Sequence, residues 1–314
     1  MSPGREPLPP RGRPGPVRRT AVTPQPRPLP ADGARPARPS GPAASQSNPP
    51  EREPLPQDPG SLPALPESFH ATLRDGLRAL DLSLEGGQLA ALEAYVRLLL
   101  AWTQAVNLTA IREPAAVARD HLADSLSAVA LLRDPGVRRI LDLGSGGGVP
   151  GIPLAIALPD VRVLLVESIA KKAAFLRTAV TAVGLAGRVD VAAERAEALA
   201  VPGRERAAFD AVTVRAVAAL PELVELAVPL LRVGGRMIAW KREPLASEIH
   251  AGRQPLEAEL SAGRQAARAI GAELAVVHVG VPGLEHHRLV VVTKRRPSAA
   301  HLPRPPAERR ARPL

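Results

Sequence analysis

The sequence predicts an α/β protein: an N-terminal helical subdomain followed by a mostly parallel β-sheet with helices on both faces. Three observations support this prediction. Apolar residues recur at helical spacing up to about residue 133, the period changes after Gly136, and seven strand-like apolar runs follow, most of them separated by helical stretches. Strands that alternate with helices are typical of a parallel sheet covered on both sides. The chain has 314 residues, of which 45% are hydrophobic, so it can bury a sizeable core.

The chain divides into four segments. Residues 1–66 contain 20 of the 36 prolines, and residues 294–314 are again rich in proline and arginine. Proline removes a backbone donor and restricts φ, so we expect both segments to be disordered tails. Between them, residues 67–133 are predicted to form the helical subdomain and residues 134–293 the sheet domain.

The predicted strands follow one another along the sheet domain. They cover residues 139–143, 161–166, 188–191, 210–214, 235–240, 273–279 and 288–293. Too few residues separate the last two runs for a full crossover helix, so we expect these two strands to pair antiparallel.

Composition and charge exclude several classes of protein. The chain has no cysteine, which excludes a disulfide framework, a thiolate metal site and a cysteine nucleophile. No apolar run is long enough to span a membrane and the N-terminus lacks the apolar core of a secretory signal, so we expect a cytoplasmic protein without membrane contact. We also expect a monomer. The net charge is +10, but the two tails contribute +4 and +6, so residues 67–293 are neutral and RNA binding there requires a local basic patch.

The most informative segment is a glycine-rich loop after the first strand. Residues 139–151 read RILDLGSGGGVPG, in which the strand ends near Asp142 and a helix begins near Pro150. Glycines let the backbone approach a ligand closely, and the N-terminus of a following helix presents free N–H groups to it. The second strand ends before Glu167, where a carboxylate can accept hydrogen bonds from both ribose hydroxyls of an adenosine group. The loop is therefore predicted to bind a nucleoside cofactor.

Two cofactor classes fit this loop. Gly146, Gly148 and Gly151 satisfy the G-x-G-x-x-G pattern of dinucleotide-binding proteins. Pro150, however, removes a donor where a pyrophosphate would need one, and the Asp142 carboxylate suits the ammonium and sulfonium groups of S-adenosyl-L-methionine better than a diphosphate. We therefore favour S-adenosyl-L-methionine, while a dinucleotide and an unliganded strand–helix turn stay open. The cofactor residues predicted from the loop and the second strand are Asp142, Gly146 and Glu167.

Further motifs along the chain indicate a known family. They are Trp102, the NLTAIR segment at 107–112, His121 with Asp124 and Ser125, the VPGIPL segment at 149–154, Glu167–Ser168, Lys171–Lys172, Phe175–Arg177, Arg195–Glu197, Arg215–Ala216 and Trp240–Lys241. The Pro-Gly-Ile-Pro tail of the glycine loop is the most specific motif, because ordinary methyltransferase loops lack it. Over residues 70–293 the sequence resembles the ribosomal RNA small-subunit methyltransferase G family, also called the glucose-inhibited division protein B family. It departs from the family at Arg242, where many relatives have glycine, and at residues 286–289, where others have a shorter basic pair.

The resemblance implies a fold, a reaction and a set of site residues. The implied fold is that of class I S-adenosylmethionine-dependent methyltransferases, a Rossmann-like sheet of seven strands. The implied reaction is methylation of N7 of one guanine in 16S rRNA near the decoding centre, with the rRNA or the small ribosomal subunit as partner. The cofactor contacts that the resemblance implies are at Gly144, Val149, Ala196, Glu197 and Arg215.

Methylation at guanine N7 requires no general base from the protein. N7 carries a free lone pair in the plane of the ring, so in-line attack on the methyl group needs no general base, and the protein has to align the reacting atoms and exclude water. No catalytic base is therefore assigned. Arg215, Lys241 and Arg288 are candidates for positioning the substrate, and Lys171 with Lys172 can hold phosphates. A strand-end salt bridge is the alternative for Arg215, and a solvated charged loop is the alternative for the lysines.

Three other functions stay open at this point: a small-molecule methyltransferase, an RNA-binding or regulatory protein without turnover, and a dinucleotide oxidoreductase. A dry apolar pocket over the loop would favour the first. His121, Asp124 and Ser125 have no exposed nucleophile or oxyanion hole beside them, so we expect structural hydrogen bonds between helices and sheet rather than a catalytic triad. His286 and His287 have no third ligand at metal spacing, so no metal site is predicted.

Overall fold

A computed structural model describes residues 55–314, and the predictions made for residues 1–54 lie outside the described residues. Within the described part, the helical subdomain and the sheet domain are packed as one unit. The sheet is central, and helices lie on both of its faces.

Seven strands form a single sheet. They are β1 (Arg139–Leu143), β2 (Arg162–Val166), β3 (Val189–Ala192), β4 (Phe209–Arg215), β5 (Leu231–Arg242), β6 (Ala272–His278) and β7 (His287–Lys294), in the spatial order β3-β2-β1-β4-β5-β7-β6. The first five strands are parallel, and β7 is antiparallel to both of its neighbours, β5 and β6. The predicted α/β class, the Rossmann-like sheet of seven strands and the antiparallel pairing of the last two are confirmed.

Helices cover both faces of this sheet. They are α1 (Glu67–Ala79), α2 (Gly86–Thr103), α3 (Pro114–Val117), α4 (Asp124–Leu126), α5 (Val129–Leu132), α6 (Gly151–Ala157), α7 (Ala170–Ala182), α8 (Ala196–Leu199), α9 (Leu220–Ala227), α10 (Ala246–His250), α11 (Leu256–Ala269) and α12 (Pro306–Ala311). Successive strand residues point to opposite faces. Ile140 accordingly belongs to the same core cluster as Leu92 of α2, whereas Leu141 belongs to the cluster of Leu223 in α9 and Leu260 in α11. Burial of both faces explains why the strands read as continuous apolar runs.

The helical subdomain packs against the sheet domain through α2. Tyr95 and Trp102 of α2 lie against Phe175 of α7, with ring centroids 6.4 and 5.5 Å apart. Beyond α3, the helix widens into a π-helical turn over Ala118–Ala123, which carries His121. Such turns are rare in helices and are frequent at functional sites.

Residues 55–66, predicted as part of a disordered tail, lie in contact with α2. Pro59–Ser61 form a short 3-10 turn, and the indole N–H of Trp102 donates to the backbone oxygen of Pro56 at 2.7 Å. Leu62 and Leu65 are partly buried against the core. The prediction of disorder is wrong for these residues, because the buried indole requires an acceptor and a proline-rich chain still supplies carbonyl oxygens.

The C-terminal segment, residues 294–314, also differs from the predicted disordered tail. Lys294 is the last residue of β7, and its ammonium group donates to the backbone oxygen of Leu231 at 2.6 Å. The chain then reaches α9, where Arg304 forms an ion pair with the buried Glu225, and it forms the helix α12. Proline content predicts a disordered segment, but it does not reveal that a buried carboxylate of the folded domain is the partner of Arg304.

Candidate active site

The glycine-rich loop after β1 lies at the carboxyl edge of the parallel strands. The backbone N–H groups of Gly144 and Ser145 both donate to the oxygen of Val166 in β2, at 2.9 and 3.0 Å. The buried hydroxyl of Tyr95 donates to the oxygen of Gly147 at 2.5 Å and so connects the loop to α2. These contacts hold the loop between two strands and the helical subdomain.

Gly144 shows why this loop requires glycine. Its φ is +74°, in the left-handed region that side chains rarely adopt, and a Cβ atom there would lie 2.5 Å from Cγ2 of Val217. Val217 belongs to the segment that follows β4. The backbone of the loop therefore approaches this segment more closely than any residue with a side chain would allow.

Two adjoining cavities lie at this edge of the sheet, with volumes of about 410 and 320 Å³. Both volumes are within the range of small-molecule sites, about 300–1,000 Å³. Gly144, Glu167 and Val217 border both cavities, and we call the two together the cofactor cleft. The other predicted cofactor residues that border the larger cavity are Gly146, Val149 and Arg215, and those that border the smaller one are Ala196 and Glu197.

Glu167, directly after β2, lies where the two cavities meet. Its side chain is largely buried, and its two carboxylate oxygens accept from the backbone N–H groups of Gly146 at 3.0 Å and Ile169 at 2.8 Å. A carboxylate oxygen has more than one lone pair, so both oxygens can accept a further hydrogen bond. The backbone contacts orient the carboxylate, and its position at the cleft suits the predicted ribose contact.

Asp142 differs from its expected position. The residue borders neither cavity, and its carboxylate is 1% exposed beneath the glycine loop. One oxygen accepts from the Thr213 hydroxyl at 2.8 Å, while Oδ2 has no partner among the described residues and lies beside Gly151, where a Cβ would be 2.7 Å away. Burial raises the pKa of Asp142 to about 6, although Thr213 opposes this increase. The carboxylate therefore supports the loop from below and does not face the cleft.

Arg215, at the end of β4, borders the larger cavity and is held by the π-helical turn. Its Nη2 donates to the backbone oxygen of Asp120 at 2.8 Å and to Nδ1 of His121 at 3.1 Å. Because arginine can only donate, Nδ1 is the unprotonated nitrogen, and Nε2–H then donates to the Thr109 hydroxyl oxygen at 2.7 Å. Burial and the adjacent Arg215 charge lower the pKa of His121 to about 4, so the imidazole is neutral at pH 7.

Asp124 connects the same helical stretch to three strands. Its carboxylate is 1% exposed and lies 3.2 Å from Nη1 of Arg215 in β4 and 3.0 Å from Nδ1 of His287 in β7. Its backbone oxygen accepts from the indole N–H of Trp240 in β5 at 2.8 Å. A buried carboxylate requires such partners. This stretch thus makes the hydrogen bonds between helices and sheet that the sequence predicts.

Lys241, a predicted substrate-positioning residue, forms its hydrogen bonds outside the cofactor cleft. Its ammonium group donates to the Glu259 carboxylate of α11 at 2.6 Å and to the backbone oxygen of Ala218 at 3.0 Å. The same carboxylate accepts from the backbone N–H of Leu220 at 2.8 Å. Lys241 borders neither cavity of the cofactor cleft, so its charge supports the segment that carries Val217.

The other basic candidates lie at different distances from the cleft. Arg288 is opposite Lys241 in the β5–β7 ladder and borders neither cavity. Among residues 55–314, its guanidinium hydrogen bonds only to the backbone oxygens of Glu285 and His287. Lys172 in α7 borders the larger cavity, as does Arg215. Of the proposed phosphate-binding side chains, Lys172 is therefore the one placed at the cleft.

Sequence analysis missed several residues of the cleft. Thr109 borders the larger cavity; the sequence favours a turn or cap between helices for it, and the family resemblance leaves a substrate role open. Val217 borders both cavities without any motif to reveal it. Arg309 and Arg310 border the smaller cavity. Nothing in their proline- and arginine-rich segment distinguishes them from solvated tail residues.

Gly151, the last glycine of the dinucleotide pattern, packs on β2 and β1: a Cβ there would lie 2.4 Å from Leu165 and 2.7 Å from Asp142. Helix–strand packing is also the role of the third glycine in dinucleotide-binding loops, so both cofactor classes share this contact. The part of the chain from residue 55 onward contains no cluster of three or more His, Asp or Glu side chains suited to a metal ion. None of its helices is long and apolar enough to cross a membrane.

Comparison with known proteins assigns the chain to a family. The family model described as rRNA small subunit methyltransferase G matches residues 88–268. The chain belongs to the rRNA small subunit methyltransferase G family. A ribosomal RNA small subunit methyltransferase G of Rubrobacter xylanophilus is 42% identical over 255 residues, which cover 79% of this chain and 92% of the relative. One of Roseiflexus sp. is 39% identical over 227 residues, which cover 72% of this chain and 92% of the relative.

The match to rRNA small subunit methyltransferase G has a defined extent. It contains the glycine loop, Glu167, Glu197 and Arg215, and it ends before β6. The resemblance inferred from the motifs and S-adenosyl-L-methionine as the cofactor are confirmed. Among solved structures, the S-adenosylmethionine-dependent methyltransferase SibL in its apo form is 20% identical, with a TM-score of 0.44, over 73% of this chain and 76% of SibL.

Proposed function

We propose that this protein transfers the methyl group of S-adenosyl-L-methionine to N7 of a guanine in 16S rRNA near the decoding centre. One observation carries the proposal: the motif residues Gly144, Val149, Glu197 and Arg215, distant in sequence, border one pair of adjoining cavities in a chain of the rRNA small subunit methyltransferase G family. Ligands of parallel α/β sheets bind at this carboxyl edge. When bound, the cofactor supplies an electrophilic methyl group.

The residues of the cleft fit this cofactor in size and charge. Glu197 and Ala196 border the smaller cavity and would contact the adenine, while Glu167 lies at the junction and would accept from the ribose hydroxyls. Arg215 and Lys172 border the larger cavity and offer positive charge to the carboxylate of the methionine part. Thr109 and His121 of the helical subdomain also border the larger cavity, so they would line the side from which the substrate reaches the cofactor.

A reaction that needs no base agrees with the residues at the larger cavity. The lone pair of guanine N7 is free, so no proton has to be removed before methyl transfer. His121, the one imidazole at this cavity, has hydrogen bonds at both ring nitrogens, and its low pKa keeps it neutral. A neutral imidazole adds no charge to a site where the product ring becomes cationic. The role left to these residues is to align the substrate and exclude water.

The larger cavity favours a nucleic acid over a small apolar substrate. Its border includes polar and charged side chains such as Thr109, Lys172 and Arg215, so it is not a dry apolar pocket. Two exposed apolar side chains, Ile169 and Val217, also border it and can support a base from the side. This combination of a local positive charge and an apolar rim suits a nucleotide presented by folded rRNA.

Site-specific detection of the product tests the proposal. The protein and labelled S-adenosyl-L-methionine are incubated with small ribosomal subunits that lack their N7-methylguanine, and with subunits that already carry it. Borohydride–aniline cleavage of the 16S rRNA then locates N7-methylguanine. We expect one new cut near the decoding centre in the first sample and no incorporation of label in the second. Incorporation without cleavage would contradict methylation at N7. Cofactor binding without incorporation would favour a small-molecule or non-catalytic role.

A further inference from the structure

The segment that follows β7 is attached to the methyltransferase domain by buried charges. Arg304 donates to the Glu225 carboxylate through its backbone N–H at 2.8 Å, its Nε at 2.9 Å and its Nη2 at 2.6 Å. Glu225 is 1% exposed, and an unpaired carboxylate at such a position would be strongly unfavourable. Arg206 adds hydrogen bonds to the backbone oxygens of Ala299 and Leu302, both at 2.6 Å. The segment is therefore an integral part of this fold.

The same segment places a second buried arginine at the cofactor cleft. The Arg309 side chain in α12 is 2% exposed, and its Nη2 donates to the Glu197 carboxylate at 2.6 Å and lies 3.4 Å from that of Glu222. Its Nη1 donates to the backbone oxygen of Arg304 at 2.7 Å. Arg309 and its neighbour Arg310 border the smaller cavity, opposite the end of β1.

We propose that α12 forms the outer wall of the adenine end of the cofactor cleft and that Arg309 is a positioning residue, which orients Glu197 toward the cofactor. This inference rests on S-adenosyl-L-methionine as the cofactor and does not depend on the identity of the methyl acceptor. The family model matches residues 88–268 and so ends before α12. The wall is supplied by the chain's own C-terminal segment.

Two features indicate that α12 borders the smaller cavity rather than filling it. The smaller cavity keeps about 320 Å³ with α12 in place, so the helix borders a space that can still accept a ligand. In addition, Nε of Arg309 is buried without a hydrogen-bond partner among the described residues. A buried donor without a partner beside a cavity is the feature expected where a bound ligand, directly or through water, completes the site.

The charge arrangement explains how Arg309 acts on Glu197. Desolvation alone would raise the pKa of the Glu197 carboxyl, but the hydrogen bond and charge of Arg309 lower it below its usual value, so the group is ionised at neutral pH. The guanidinium also limits the directions in which the carboxylate can turn. Without Arg309, the carboxylate would turn toward water and the adenine end of the cleft would open to solvent.

Binding of S-adenosylhomocysteine to the full chain, measured by calorimetry without RNA, tests this inference. Arg309→Ala is expected to raise the Kd by about tenfold, the effect of losing one hydrogen bond to a charged group. Arg312→Ala is the matched control: it removes one arginine charge from the same segment, and Arg312 is exposed and borders neither cavity. We expect its Kd to be unchanged. Arg309→Lys keeps the charge and is expected to recover part of the affinity.

Two further readouts separate positioning from general stability. Adenosine keeps the adenine and ribose of the cofactor and lacks its amino-acid part, so Arg309→Ala should weaken adenosine binding by the same factor as S-adenosylhomocysteine binding. Hydrogen–deuterium exchange of the wild-type protein should show slower exchange in residues 304–311 when S-adenosylhomocysteine is added.

An unchanged or lower Kd in a folded Arg309→Ala variant overturns the inference. If that variant does not fold, the exchange experiment decides, and no change in residues 304–311 overturns it. Both experiments omit RNA, so failure here is distinct from failure to methylate rRNA.

Discussion

Replacement of Gly144 by alanine tests the placement of the glycine loop at the cofactor cleft. The substitution has two separate costs. Alanine at φ +74° costs about 1–2 kcal/mol as backbone strain, with or without the cofactor. The new Cβ would also lie 2.5 Å from Cγ2 of Val217, well inside the ordinary carbon–carbon contact of about 3.5–4.0 Å, so Val217 has to move.

The movement of Val217 should weaken cofactor binding specifically. Val217 is 41% exposed and borders both cavities, so in the free protein it can shift toward the cleft and relieve the clash. A bound cofactor would occupy that space, and the strain of about 1–3 kcal/mol then appears in the complex alone. Since about 1.4 kcal/mol corresponds to a tenfold change, we expect the Kd of S-adenosyl-L-methionine to rise by about tenfold or more in Gly144→Ala.

A second glycine provides the matched control. Gly184 has φ +70°, and a Cβ there would have no atom within 4 Å. Gly184→Ala should therefore lose about 1–2 kcal/mol in denaturant unfolding, as Gly144→Ala does, and keep the wild-type Kd in calorimetry. Adding Val217→Ala to Gly144→Ala should recover part of the affinity. Wild-type affinity in Gly144→Ala would refute the placement of the loop, and an equal loss in the double variant would refute the role assigned to Val217.

Three further substitutions test the buried charges. Burial raises the pKa of Asp142 from 3.8 to about 6, so its contribution to the free energy of unfolding falls as the pH rises through this interval; burial lowers the pKa of His121 from 6.5 to about 4, so its contribution rises. The free energy of unfolding at pH 6.5 minus that at pH 4 should thus be larger than wild type in Asp142→Asn and smaller in His121→Gln, by about 2–3 kcal/mol each. Denaturant titrations at both pH values measure this, and profiles identical to wild type would contradict it. Arg304→Ala leaves the Glu225 carboxylate buried without its ion pair and should lower the free energy of unfolding by about 3 kcal/mol. The ion pair of Arg295 with Glu273 is exposed, so Arg295→Ala is the control and should lower it by less than about 1 kcal/mol.

The strands could be predicted from the sequence because the pattern of apolar residues is local. Each strand is a short apolar run between turn residues, and the sequence alone places β1 and β2 within one residue of their observed bounds. β5 shows the limit of this reasoning. The strand was predicted at 235–240 but begins at Leu231, because an irregular step in its pairing with β4 carries the strand past Gly234 and Gly235. The two glycines predict a break in regular structure, but β5 continues through them.

The cofactor cleft was predictable where it depends on backbone geometry and not where it depends on distant contacts. The glycine loop, Glu167 and the turn before α8 lie at strand ends, and parallel strands bring such ends to one edge. Asp142 was misplaced because its position at the end of β1 does not reveal which way the carboxylate turns. Arg309 was missed because its partner Glu197 is 112 residues away, and no local pattern predicts that pairing.

The charge of the C-terminal segment bears on how the protein meets RNA. Residues 294–314 carry +6 by composition, which suggests a free basic tail. Arg304 and Arg309 are instead neutralised by carboxylates of the folded domain, so they cannot also bind phosphates. We expect the RNA contacts to come from the folded domain, where Lys172 and Arg215 border the larger cavity. Deletion of residues 1–54 should then leave the salt dependence of rRNA binding close to that of the full chain, since each lost phosphate contact would change the logarithmic slope by about 0.7–0.9. A slope that falls by several such steps would assign the RNA contacts to the N-terminal segment.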